Sequence, residues 1–107
     1  MSMDNYIEQV KDVIVSQINP EQIILFGSHA RGEHRENSDY DFLVLTKGLD
    51  EPKEITKNLR KVLYKSGYRE PMDIIVMNRD KYLHLINVVG YVYKVIEREG
   101  KIIYEHL

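Results

Sequence analysis

Two short runs rich in β-branched and aromatic residues, Gln22 to Phe26 and Phe42 to Leu45, read as buried strands. The fifteen residues between them, Gly27 to Asp41, include no large aliphatic side chain. So polar a connection beside the most strand-like segments points to a functional site at a sheet end rather than to core packing. The rest of the chain has to supply helices that cover the sheet.

It does so in a recognisable order. Met3, Tyr6, Ile7, Val10, Val13, Ile14 and Ile18 recur at helical spacing, and Asn19-Pro20 stops that helix, because proline disfavours a helical residue before it. After Leu45, Asp50 is expected to cap a second helix with Pro52 in its first turn. Ile55, Leu59, Val62 and Leu63 lie on one face of this helix, and Gly67 ends it. Met72 to Met77 reads as a third strand. Asn78 is expected to cap a helical region in which Tyr82, Leu85, Ile86, Val89, Val92, Tyr93 and Ile96 share a face, with Gly90 marking a bend. Ile102 to Tyr104 adds a fourth, edge strand. The expected fold is α+β: a small mixed β-sheet of three to four strands with helices packed on it. At 107 residues, 1–107 is expected to be one domain.

Composition excludes several classes. The formal charge of −2 argues against DNA or RNA as the direct partner, because a chain gripping many phosphates needs an excess of Lys and Arg. Without cysteine there are no disulfides, no Cys-based zinc site and no thiol nucleophile, which fits a reducing compartment. His29, His34, His84 and His106 are too scattered for a zinc set. Met1 to Gln9 has no apolar signal region, and no stretch approaches the ~18 apolar residues of a membrane span. The expected location is the cytoplasm, with no membrane partner.

Within the polar connection, Gly27-Ser28 follows a strand and His29-Ala30-Arg31 can begin a helical turn, so outward backbone N–H groups attract phosphate. Glycine permits close approach, Ser28 adds a hydroxyl donor, and Arg31 can hold a further phosphate oxygen. Asp39 and Asp41, two residues apart, project to one face of a strand about 6 to 7 Å apart. Asp73 offers a third carboxylate if the third strand pairs beside the second. Three such groups repel unless a divalent ion joins them, and Mg²⁺ is commonly held by carboxylates together with substrate phosphates. Two ions could serve an in-line displacement on a nucleoside triphosphate. The alternative is that Asn37-Ser38-Asp39 is a loop cluster and that Asp41 and Asp73 are solvated strand ends.

Gly27-Ser28, ten residues, then Asp39-Tyr40-Asp41 resembles the signature of the DNA polymerase β-like nucleotidyltransferases. The stretch "LFGSHARGEHRENSDYDFLVL", with Arg31-Gly32 and Ser38, is similar to the minimal nucleotidyltransferase branch, as are Asp73 in "MDIIVM" and the closing "REGKIIYE". The resemblance implies Mg²⁺-dependent transfer of AMP from ATP to an acceptor hydroxyl. By it, Gly27 and Ser28 bind the triphosphate, Asp39 and Asp41 hold two metal ions, and Asp73 helps bind the catalytic metal and activate the acceptor. It makes Arg31 a structural or phosphate contact and gives His29 no role. It also implies a HEPN-domain partner, with this chain as the antitoxin that adds AMP to a toxin tyrosine. Two other readings stay open: an antitoxin that neutralises its HEPN partner by binding alone, and a subunit that nucleotidylates a small molecule or RNA. Tyr91, Tyr93 and Tyr104 are either core or part of a partner-facing patch.

Overall fold

The computed structural model describes residues 3–32, 39–48, 50–88, 90 and 92–106. Helix α1 (Met3–Ile18) opens the chain and buries Val10 and Ile14 completely. It ends where Asn19 turns left-handed (φ 47°), a conformation asparagine tolerates, and the Asn19 N–H returns to the Val15 carbonyl at 3.2 Å.

Strand β1 (Gln22–Phe26) pairs antiparallel with β2 (Tyr40–Thr46), and the one-turn helix α2 (Ser28–Arg31) follows β1. Helix α3 (Pro52–Lys65) carries the chain back over the sheet so that β3 (Met72–Asn78) can lie parallel to β2, a pairing that needs a crossover of this kind. Helices α4 (Arg79–Leu85) and α5 (Val92–Glu99) then lead to β4 (Lys101–Glu105), which pairs antiparallel with β1. The order across the four-stranded mixed sheet is β3-β2-β1-β4.

Side chains alternate between two cores. Tyr40, Phe42 and Val44 of β2 join Ile74 and Val76 of β3 under α1 and α3, with Leu59 and Leu63 from α3. Leu43, Leu45 and Met77 turn to the opposite face and meet Tyr82 of α4 and Ile96 of α5. The sheet is thus covered on both sides, which explains why its central strands are apolar runs rather than alternating patterns.

Some boundaries differ from the sequence expectation. Glu51, with φ 52° and ψ 62°, occupies the position before α3, and no side-chain cap bond forms there, so Asp50 is not the cap. The region expected as one bent helix after Asn78 forms two, with Gly90 at φ 92° between them. Tyr93 and Tyr104 pack against the two cores. Asn37, Ser38, His34, Val89 and Tyr91 lie outside the described residues.

Candidate active site

Strand register brings two of the expected carboxylates together. β2 and β3 run side by side with Asp41 opposite Asp73, and β1 sets Phe26 opposite Asp41. Neighbouring strands lie about 4.8 Å apart, so the two carboxylates leave adjacent strands on one face. That is the face of Leu43, Leu45 and Met77, the side covered by α4 and α5. Asp39 is exposed and immediately precedes β2 rather than lying in it.

Gly27 closes the other side of this pair. Its φ of 78° and ψ of −158° fall in a region that other residues enter only with strain. A Cβ built there would overlap Asp41 Oδ2 and lie 3.1 Å from Asp41 Cγ. The turn therefore presses against the carboxylate, and glycine is required twice over: for its backbone and for its missing side chain. After it, the Arg31 N–H bonds the Gly27 carbonyl at 3.2 Å, and Gly32 ends α2 in the left-handed conformation.

His29, which has no expected role, fixes this turn. It is buried, and its ring stacks on Tyr40 with centroids 3.9 Å apart and planes 8° from parallel. Ala30 is buried beside it, while Arg31 is exposed. A four-residue helix is too short for periodicity to reveal which residue faces in.

Electrostatics follow from the same geometry. Burial pushes the Asp41 carboxyl above the usual carboxylate range, and the negative charges of Asp73 and Asp39 push it further, against the opposing pull of His29 and Arg31. Asp73 is held outward: Arg60 Nη2 lies 3.7 Å from its Oδ1, and Arg60 Nη1 donates to the Met72 carbonyl at 3.3 Å. Sequence reasoning missed Arg60, because only the crossover of α3 onto β3 brings residue 60 to residue 73.

A divalent ion suits this donor set, since a hard cation would relieve the charge crowding around Asp41. Among the described residues, however, no three His, Asp or Glu side chains are gathered around one point. The arrangement fits an ion held by a pair of carboxylates and completed by substrate oxygens, the usual manner for Mg²⁺. No helix among the described residues is long and apolar enough to cross a membrane.

The profile of the family described as polymerase beta, nucleotidyltransferase matches residues 8–106. The chain belongs to this nucleotidyltransferase family. A Methanocaldococcus jannaschii protein carrying the provisional name protein adenylyltransferase is 39% identical over 56 residues, which is 52% of this chain and 54% of that protein. The matched segment thus spans about half the length of that curated relative. Among solved structures, one provisionally assigned as a nucleotidyltransferase from Sulfolobus solfataricus superposes with a TM-score of 0.59 at 22% identity, covering 97% of this chain and 81% of the other. A toxin–antitoxin complex with AMP-PNP gives 0.56 at 20% identity, covering 92% and 73%. A mutant of the toxin–antitoxin pair MntA–HpeT gives 0.51 at 21%, covering 99% and 75%. At these identities the likeness is one of fold, and the nucleotidyltransferase fold accommodates the four-stranded mixed sheet described above.

Proposed function

We propose that this chain transfers AMP from ATP to a protein hydroxyl, a tyrosine of a HEPN-domain toxin, and thereby acts as the antitoxin of the pair. The observation that carries the reading is the registered Asp41–Asp73 pair with the Gly27 turn pressed against Asp41. Family membership supports the reaction class. The partner is supported by the signature's resemblance to the minimal branch and by the occurrence of the same fold in toxin–antitoxin complexes.

In this reading residues 1–107 act as one minimal domain in the cytoplasm. Gly27 and Ser28 receive the triphosphate through backbone N–H groups and the serine hydroxyl, with Arg31 beside them. Asp39, Asp41 and Asp73 supply carboxylates for two Mg²⁺ ions, whose chemistry is to neutralise the phosphate charge and favour the deprotonated acceptor. The acceptor oxygen attacks the α-phosphorus. The bond from that phosphorus to the α,β-bridging oxygen breaks, and pyrophosphate leaves with the electron pair. The hydroxyl proton passes by way of Asp73, which is exposed and can return it to solvent. The tight Gly27 turn keeps Asp41 from swinging away from the phosphates.

The test is intact-mass analysis of the HEPN protein after incubation with this chain, ATP and Mg²⁺. Added AMP that disappears with the Asp39→Asn/Asp41→Asn double variant is the expected result. A double variant that adds no AMP yet neutralises the toxin fully would reject catalysis as the mechanism and leave binding alone.

A further inference from the structure

The sheet has a second end. Asp41 and Asp73 stand near the starts of β2 and β3, and Thr46 and Asn78 are the paired last residues of the same two strands. At about 3.3 Å per residue, that far end lies about 17 Å from the carboxylates. Antiparallel β1 begins there, and Glu21 just before it is tied in from both sides: its N–H donates to the Leu45 carbonyl at 2.8 Å, and its carbonyl accepts from the His106 N–H at 2.7 Å.

This end holds a cavity of about 510 Å³, whose walls include Glu21, Thr46, Lys47, Arg79, Asp80 and Lys81. Sites for small molecules run from roughly 300 to 1,000 Å³, so the volume suits one. The Thr46 hydroxyl and Arg79 Nε are buried with no hydrogen-bond partner among the described residues, and Thr46 as a whole is only 6% exposed. Three buried side-chain polar atoms are unanswered among the described residues, and two of them belong to the walls of this one cavity. Folded proteins keep few such atoms, because a buried polar group that gives up water and gains no partner destabilises the fold. A ligand in the cavity would answer both.

We infer that this cavity is a second ligand site, which takes a phosphate group, either as the free anion or as a phosphomonoester. Arginine and lysine side chains only donate hydrogen bonds, and the Thr46 hydroxyl can donate as well. An acceptor shared by all of them needs several oxygens and negative charge, which phosphate supplies. The exposed Lys47 and Lys81 add attraction at the mouth. Three cations against Glu21 and Asp80 leave these walls net positive in a chain of formal charge −2. The two carboxylates accept only, so they suit the hydroxyl groups of an attached sugar, for which the volume leaves room. Neither Gly27 nor Asp39, Asp41 or Asp73 lines this cavity, so the inference stands apart from nucleotidyl transfer.

Amide proton–nitrogen NMR spectra of the whole chain test it, titrated with inorganic phosphate and separately with ribose 5-phosphate, without ATP or Mg²⁺ and against sodium chloride at matched ionic strength. The expected result is saturable shifts at Thr46, Lys47 and residues 79–81. Affinity should fall about tenfold in Lys47→Gln/Lys81→Gln, whose exposed positions leave the fold intact. Thr46→Val keeps the side-chain shape and removes the hydroxyl, so phosphate should raise its unfolding temperature less than that of the wild type. Tighter binding of ribose 5-phosphate than of phosphate identifies an ester as the ligand, and equal binding identifies the free anion. Shifts that chloride reproduces would mean screening of exposed lysines only, and shifts confined to residues 27–32 would leave the proposed active site as the sole phosphate site; either overturns the inference. Undiminished phosphate binding in both variants would overturn it too.

Discussion

Replacing Gly27 with alanine tests the central geometric claim, because two independent penalties meet at that residue. The first is backbone strain: φ 78° with ψ −158° costs a non-glycine residue about 1–3 kcal/mol. The second is overlap of the new methyl with Asp41 Oδ2, which forces the carboxylate to rotate or the turn to move. Against a whole-domain stability of roughly 5–15 kcal/mol the first cost is survivable, so the variant should fold. It should also lose about a hundredfold in AMP transfer, the penalty expected when a reacting group is displaced by about 1 Å. Gly32 supplies the control. It too has a positive φ, 72°, but a Cβ there meets nothing within 4 Å. Gly32→Ala should therefore pay only the left-handed strain, about 1–2 kcal/mol, and keep its transfer rate. Urea unfolding and mass-based transfer assays on both variants decide the matter. Equal destabilisation with equal activity would refute the claim that Gly27 positions Asp41.

Three further outcomes follow from the charges and the core. Asp41 has a raised folded-state pKa, so from about pH 4 upward the folded state holds more protons than the unfolded chain and stability falls with rising pH. Asp41→Asn should flatten that slope and make the metal-free protein more stable at neutral pH while abolishing transfer; an unchanged slope in denaturant titrations across pH would remove Asp41 as its source. Arg60→Gln removes the cation beside Asp73 and should tighten Mn²⁺ binding, followed by electron paramagnetic resonance, by up to about fivefold, the scale of an exposed ion pair; weaker binding would mean that Arg60 supports the site instead of competing for it. The Tyr68 hydroxyl is buried with no hydrogen-bond partner among the described residues, and burial pushes its phenol well above the ordinary tyrosine range. Tyr68→Phe should stabilise the protein by about 1 kcal/mol and lessen the loss of stability above about pH 10, and a destabilised variant in thermal unfolding would reveal a partner for the hydroxyl.

The features legible in the sequence were those fixed by neighbours along the chain. Helix α1 and strand β1 begin and end where expected, because Asn19-Pro20 and Gly27 are strong local stops. The Asp39-x-Asp41 spacing is only half realised as expected, since Asp41 lies in β2 and Asp39 immediately precedes it. The break near Gly90 was foreseen only as a bend, because the apolar period runs across it and only tertiary packing decides whether one helix or two result. Pro52 stands in the first turn of α3 as expected, but Glu51 and not Asp50 takes the cap position. A left-handed Glu51 is not favoured by local propensity, and the requirement that α3 return over β3 has prevailed over it. Arg60 and His29 were invisible for the same reason. One reaches Asp73 through a crossover, and the other is buried by stacking on a tyrosine eleven positions away.

The pairing of β4 with β1 sets the carboxyl-terminal segment beside Gly27, although the recognisable residues of the proposed site all precede residue 74. Without that pairing, β1 would be an edge strand and α5 would have no reason to lie beside Gly27. Gly100 ties the two together, since the absence of a side chain there lets α5 turn into β4 against Ile24 and the Ile96 carbonyl. The Gly27-Ser28 and Asp39-x-Asp41 elements of the proposed site thus come from local sequence. The neighbouring hollow between Gly27 and the Val92 and Val95 face of α5 depends on a long-range strand addition. Family signatures report the first kind of residue. The second kind is placed by tertiary pairing alone, so no local spacing reports it.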